Sequence, residues 1–495
     1  MKQVLRKALS DELHRRHGYR TMEAKIKPVH IANALMRVEH QCVGRMGVLE
    51  QLFVATNSKN SIDQRVAAAH AMLTAQRERW GALGQVNDVR TSALMTKVLP
   101  LIRTLLGADR AAYGNSPEMA SFSSPTALTV TGDPSDDGAG VFVHRLWGGR
   151  GNERLDILNL LSELTDPNKK PADMDDLSAL LAPLVDSTRE KKVAECDEAI
   201  DMSSGYSAVE TKLRQAAQNL AAHERTLKPN PIATLQRIVL LAGLSVFMHA
   251  CTRPFEWAGV DRRFLLLDAS GEHDSPVAHA STRCVAQLVK DASEYLCAVV
   301  SDLLEQGYPE WEVDPIGAIN VLLESLSQKP IDSQGKVARR IKDAISGVED
   351  PQEIRREVCD ELLREIEGNQ RRGLDGYLRM LGIRTGFLYP VQKNPNKRLN
   401  PSDRTLEVLV MATVDVQLPP VEYRDFLEEL CDRWSIVVGG RADDADLLAR
   451  GGANVPAKAL RDNSERFLDR LESLGLAKRL ADSVAVVGLL ETAHD

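Results

Sequence analysis

Residues 400–487 constrain the fold most, because helical and strand periodicities alternate there in a fixed order. Asn400-Pro401-Ser402-Asp403 has the composition of a helix start: Asn can cap, Pro suits the first turn, and an acid complements the helix dipole. Leu406, Leu409, Val410 and Thr413 recur at helical spacing, and Pro419-Pro420 ends that run. Tyr423, Phe426, Leu427, Leu430 and Trp434 then mark one face of a second helix. Ser435 to Val438 is short and β-branched, predicting a strand that Gly439-Gly440 closes. A polar loop bearing Asp443, Asp444 and Asp446 follows. The spacing of Leu460, Phe467, Leu471 and Leu474 predicts a third helix over 456–474, stopped at Gly475. Two apolar runs, 476–480 and 483–487, joined by Ala481-Asp482, predict a hairpin.

Helix, helix, strand, helix and hairpin in this order resembles the winged helix-turn-helix. The passage RLESLGLAKRLADSVAVVG at 470–488 is similar to the third-helix-to-wing segment of such domains. The resemblance implies a third helix that offers side chains to a DNA major groove. Lys458, Arg461, Asn463, Arg466 and Arg470 are the candidates there, with Lys478 and Arg479 on the wing. Against this, Asp462, Glu465, Asp469 and Glu472 interleave with them, and Asp462/Arg466 and Arg461/Glu465 have the spacing of intrahelical ion pairs. Many winged helices bind only protein. The run LNPSDRTLEVLVMATV and the wing also look similar to accessory proteins encoded beside ATPases in bacterial anti-phage and restriction-like gene clusters. That resemblance covers only the last quarter and implies an ATPase or restriction-like subunit as partner.

The interval just upstream is the most basic in the chain, with Arg371, Arg372, Arg379, Arg384, Lys393, Lys397, Arg398 and Arg404 and few acids. Lys393, Lys397 and Arg398 are therefore further candidates for phosphate contacts that position a module on DNA without reading sequence. The alternative is a solvated linker. The formal net charge of the 495-residue chain is −8, which argues against one large nucleic-acid-coating surface. Few aromatics amid abundant Leu and Ala favour helices packed on helices. Seven dispersed cysteines without a close pair fit reduced thiols. Residues 1–4 do not begin a signal-peptide core, and the most apolar run, 238–251, is too short to span a bilayer. The expectation is a cytoplasmic protein without membrane association.

The fold class this predicts is mainly α: a multi-helical body, a few short hairpins and a C-terminal winged-helix domain. Residues 1–114 read as an N-terminal helical bundle, with one long segment from Pro28 through Ile31, Leu35, Val38, Cys42, Met46 and Leu49. Its seven-residue spacing also admits a helix-mediated homo-oligomer. Residues 115–170 read as a hairpin and Gly-rich connection, with strands at 126–132 and 141–144 and a Gly148–Gly151 turn that lacks the Lys-Ser/Thr of a P-loop. Residues 171–368 read as a central helical domain with a strand insert near 264–268. Residues 369–399 form the basic linker and 400–495 the last domain.

No Walker A, paired CxxC, HExxH, GxSxG or kinase set occurs, no cofactor is implied, and no fixed-period repeat is evident. His249, Cys251, His273, Asp274 and His279 could supply metal-binding atoms, but their spacing matches no usual zinc pattern. Asp268, at a strand end, with His273 and His279, forms the alternative reading of a metal-dependent enzyme. The leading expectation is a non-catalytic, DNA-associated accessory subunit with protein partners. A protein-only scaffold is its nearest rival.

Overall fold

The computed structural model describes residues 2–20, 26–41, 43–45, 55, 60–75, 130, 135–149, 153–169, 173, 186–190, 206–227, 230–258, 262–332, 335–367, 374–392, 394–480 and 484–488. It is mainly helical, with sixteen helices and nine short strands among the described residues. Expectations for the helix around Leu94–Leu105, the strand at 126–132 apart from Val130, the helix at 176–185 and the turn at Ala481-Asp482 fall outside those residues. So does the helix expected over 190–200, save for Glu190.

The chain begins with α1 (Lys2–His17) and α2 (Pro28–His40). Pro28 sits in the first turn of α2, where its missing N–H has no partner to lose. The helix stops well short of Leu49: Gln41 turns left-handed at φ 48 and its N–H bonds the Val38 carbonyl. β1 (Val43–Arg45) and α3 (Ile62–Ala75) follow. The expected strand at 141–144 is instead part of α4 (Ala139–Gly148). Ala139, Phe142, Val143, Leu146 and Trp147 are its buried residues, a helical spacing that the β-branched run masks. Gly140 lets α4 lie against the backbone of α2, since a Cβ there would sit 2.5 Å from the Ala34 Cβ and 2.6 Å from the Ile31 carbonyl.

After α5 (Asp156–Thr165), β2 (Asp186–Glu190) pairs antiparallel with β1. α6 (Ala208–Leu227) leads into α7 (Pro231–Ala258). One helix, spanning Pro231–Glu256, is long and apolar enough to cross a membrane by length and composition. Yet 72% of its most apolar window is buried inside the fold, as in a core helix. β3 (Leu265–Leu266) precedes α8 (Pro276–Gly307), which Ser275 caps by accepting the Ala278 N–H. α9 (Pro315–Ser325), α10 (Lys336–Ala344) and α11 (Pro351–Glu367) continue the helical body.

The basic interval at 369–399 is not a bare linker. It carries α12 (Leu374–Arg384) and an antiparallel pair, β4 (Leu388–Tyr389) with β5 (Arg398–Leu399). Tyr377, Leu381, Phe387 and Leu399 there are fully buried. Apolar side chains between the basic ones give this stretch a face to pack, which outweighs its charge.

α13 (Asp403–Thr413) is capped by Ser402, whose hydroxyl accepts the Thr405 N–H, two residues later than a cap at Asn400. β6 (Val421–Glu422), α14 (Tyr423–Trp434), β7 (Ile436–Val437), α15 (Asp444–Arg450), α16 (Ala457–Ser473), β8 (Ala477–Arg479) and β9 (Ala485–Val487) complete the order. The expected polar loop at 443–446 is thus the start of a short helix, with Leu448 buried. β6, β9 and β8 form one antiparallel sheet in that order, with Val487 opposite both Val421 and Ala477. β7 stays out of it and pairs in parallel with β3, Leu265 opposite Ile436 and Leu266 opposite Val437. A single hydrophobic core cluster runs from Leu5 to Val487.

Candidate functional site

α16 presents two sides. Leu460, Asn463, Ser464, Phe467, Leu468 and Leu471 face inward, while Lys458, Arg461, Asp462, Glu465, Arg466 and Asp469 are exposed. The chain leaves β7 through Gly439 and Gly440, at φ +111 and +96, and passes α15 before it enters α16. Gly439 lies so close that a Cβ would stand 2.2 Å from the Leu460 carbonyl, so glycine is required there on two grounds.

Asn463 corrects the sequence reading. It is 1% exposed and cannot face a duplex. Its amide donates to the Leu267 carbonyl at 2.8 Å and the Val438 carbonyl at 2.7 Å, while its Oδ1 accepts the Ala269 N–H at 2.8 Å. It therefore stitches α16 to the ends of both β3 and β7. A buried amide with three backbone partners is a fixed structural group.

Most of the other expected DNA contacts are engaged within the chain. Arg466 donates to the Ser270 carbonyl at 2.5 Å and to Glu272 at 3.1 Å. Arg470 holds Asp403 at 2.8 Å, Asn400 at 3.1 Å and the Pro401 carbonyl at 2.6 Å. Arg479 fans across the acids of α16, meeting Asp469 at 2.7 Å, Glu465 at 3.4 Å and Glu472. Lys397 is buried, its ammonium donating to the carbonyls of Pro390 and Gln392. Arg398 is buried against Asp268, with one N–H on the Glu272 carbonyl at 2.9 Å and its guanidinium 5.3 Å from the Tyr389 ring centre. Lys393 lies outside the described residues. Lys458, Arg461 and Lys478 are exposed, and they form no ion pair among the described residues. The structure thus gathers α16 and the wing but turns Lys397, Arg398 and Asn463 inward.

Asp268 sits at the end of β3, fully buried, with Oδ2 3.1 Å from Arg398 Nε. The alignment of that pair falls short of a hydrogen bond, so Coulomb attraction dominates it. Oδ1 accepts from the Ser270 N–H at 2.9 Å and the Ser270 hydroxyl at 2.5 Å. A carboxylate so occupied is not available as a general base. His273 is exposed and stacks near Tyr389, with ring centres 6.2 Å apart. His279 lies 4.0 Å from the exposed Asp274, while His249 and Cys251 are buried in α7. No group of three His, Cys, Asp or Glu able to hold a metal gathers among the described residues. Asp268, His273 and His279 therefore do not converge on one ion among the described residues.

Sequence spacing gave no sign of a second polar cluster, which joins α1, α6, α7 and α8. The Tyr19 hydroxyl is hydrogen-bonded to His249 Nδ1 at 2.8 Å, and His249 Nε2 lies 3.7 Å from Glu210. The Tyr295 hydroxyl is hydrogen-bonded to His17 Nε2 at 2.6 Å. A carboxylate, an imidazole and a hydroxyl in series are the parts of an activated nucleophile. Burial, however, pushes the Tyr19 hydroxyl well above its ordinary pKa, and that side chain is wholly enclosed. Burial likewise drives His17 well below its usual range, so it is neutral. For Glu210, burial opposes ionisation, but attraction from His249 and hydrogen bonds from Ser207 hold it at about 2. These groups clamp helices together.

No family model, curated protein or solved structure matches the chain.

Proposed function

We infer that residues 400–495 form a winged helix used as a protein-docking element, and that the chain is an accessory subunit of a larger assembly. The element order α13, β6, α14, α16, β8, β9 and the strand order β6-β9-β8 support the winged-helix reading. β7 and α15 are insertions between its second and third helices. The observation that carries the docking reading is the internal neutralisation of Arg466, Arg470 and Arg479. A DNA reader needs uncompensated cations, because phosphate neutralisation supplies most of its affinity. The outer face of α16 instead offers mixed charge around Asp462 and Glu465, suited to a partner protein. An ATPase-like motor subunit is the partner class that the resemblance of the last quarter implies.

Lys458, Arg461 and Lys478 favour DNA contact as the second reading. The test is duplex binding by the intact protein over a salt series, beside the triple variant Lys458→Ala, Arg461→Ala, Lys478→Ala. The docking reading expects no difference between the two proteins. Binding that weakens steeply with salt and is lost in the triple variant would replace it with the DNA reading.

A further inference from the structure

Between α8 and α11, with Arg379 of α12 at its edge, lies a cavity of about 680 Å³. That is within the range of small-molecule sites, roughly 300–1,000 Å³. None of its lining residues belongs to the 400–495 segment, and none takes part in the function proposed above.

Its charge runs against that of the chain. In a protein of net charge −8, the cavity brings together Lys290, Arg355, Arg356 and Arg379 with only two acids, Glu294 and Asp360. Arg355 is fixed in the wall by Glu312 and by Glu305 at 3.7 Å, over the Trp311 ring. Arg379 gives one N–H to the Pro395 carbonyl at 3.1 Å. Lys290 reaches Glu294 only at 3.6 Å, with both side chains more than half exposed. Arg356 is exposed and forms no ion pair among the described residues. Asp360 is occupied in part by the Cys297 thiol, 3.4 Å from its Oδ1.

The cavity also holds an uncharged surface. Burial pushes the Cys359 thiol up to about 12 and the Cys297 thiol up as well, so both stay protonated at neutral pH. Ala286, Val289 and Ala298 of α8 add small apolar surface beside them. Gln352, in the first turn of α11, lines the same cavity, while its N–H is taken by the Asp350 carboxylate at 3.0 Å.

We propose that this cavity binds a small phosphate ester. The phosphate lies between Arg356 and Lys290, and an uncharged body rests on the Cys297–Cys359 surface. Arginine favours the phosphate through bidentate bonds, and lysine adds a point charge. The probes are AMP and ATP, with adenosine and inorganic pyrophosphate as controls, titrated calorimetrically into the full-length protein.

AMP or ATP binds, adenosine does not, and pyrophosphate binds more weakly than the nucleotides. Arg356→Glu, a surface substitution that breaks no ion pair among the described residues, weakens binding at least about tenfold, the worth of one charge-assisted contact. Ser293→Trp, which fills the space from α8, abolishes it. The proposal fails if neither nucleotide binds, or if nucleotide affinity is unchanged in both variants. Equal affinity for pyrophosphate and AMP would overturn the role given to the thiol-lined surface.

Discussion

Replacing Asn463 by Asp keeps the shape of the side chain and removes what it does. The amide supplies two N–H donors to carbonyls at 2.8 and 2.7 Å, and a carboxylate supplies none. Each lost bond is worth about 1 kcal/mol net, and each carbonyl left buried without a donor adds roughly 1–3 kcal/mol. Leu267 is fully buried and Val438 is 2% exposed, so water cannot replace the lost donors. Asn463→Asp should therefore cost at least about 4 kcal/mol at neutral pH. Asn463→Ala loses the same two donors and also the acceptor for the Ala269 N–H, so by the same count it should cost about 4 kcal/mol or more. The variant carboxyl also gains a raised folded pKa, so its penalty shrinks as pH falls through that value towards the ordinary ~3.9. Urea unfolding followed by the fluorescence of Trp434, fully buried in the same segment, reads the midpoint directly. An Asn463→Asp protein with a wild-type midpoint at neutral pH would refute the stitching role and return this residue to the surface.

Gly439→Ala must both hold φ +111 and place a Cβ 2.2 Å from a backbone carbonyl, so a loss of about 3 kcal/mol or more is expected in the same urea assay. Arg398→Met leaves Asp268 buried without its counter-ion and should cost about 3–5 kcal/mol, whereas pairing it with Asp268→Asn recovers most of the loss. A double variant no more stable than the single one would contradict that pairing. Stability should also fall on acidification. Burial disfavours the Glu39 carboxylate, but hydrogen bonds from His144 and Arg154 hold it at about 2 against 4.5, as His249 holds Glu210. Depressed acids stabilise above the unfolded pKa, so up to roughly 3 kcal/mol from each is lost as pH drops from 4.5 to about 2. His17, lowered in the fold, begins the loss earlier, since below about 6.5 the unfolded chain takes up a proton that the folded one refuses. A urea midpoint unchanged by acidification, or Glu39→Gln without effect on the profile, would count against these assignments.

Helices with a continuous apolar stripe could be read from the residues. α14 and α16 follow directly from the spacing of Phe426, Leu430 and Trp434 and of Leu460, Phe467 and Leu471. α4 could not, because Val141-Phe142-Val143 satisfies strand preference as well as helical burial, and the deciding contact, Gly140 on α2, is tertiary. α12 was hidden for a different reason: its basic neighbours suggested a solvated stretch, while Tyr377 and Leu381 supply too short a stripe to stand out. The helix and hairpin that carry the candidate residues were legible, and the direction in which those residues turn was not. Sequence spacing pairs Arg466 with Asp462, yet the guanidinium turns to Ser270 and Glu272. Local periodicity holds no information about a partner 194 residues away.

The parallel pairing of β3 with β7 has a consequence for synthesis. β3 leaves the ribosome long before β7 and Asn463 exist, and Asn463 lies 196 residues beyond the Leu267 carbonyl it satisfies. Until then the nascent chain carries an apolar strand, Leu265 to Leu267, with an edge still unpaired, the kind of surface that recruits chaperones or a neighbouring nascent chain. Contacts this distant in sequence also form slowly, so a segment made much later completes the packing around β3. A shortened chain ending before Ile436 would expose that strand edge permanently.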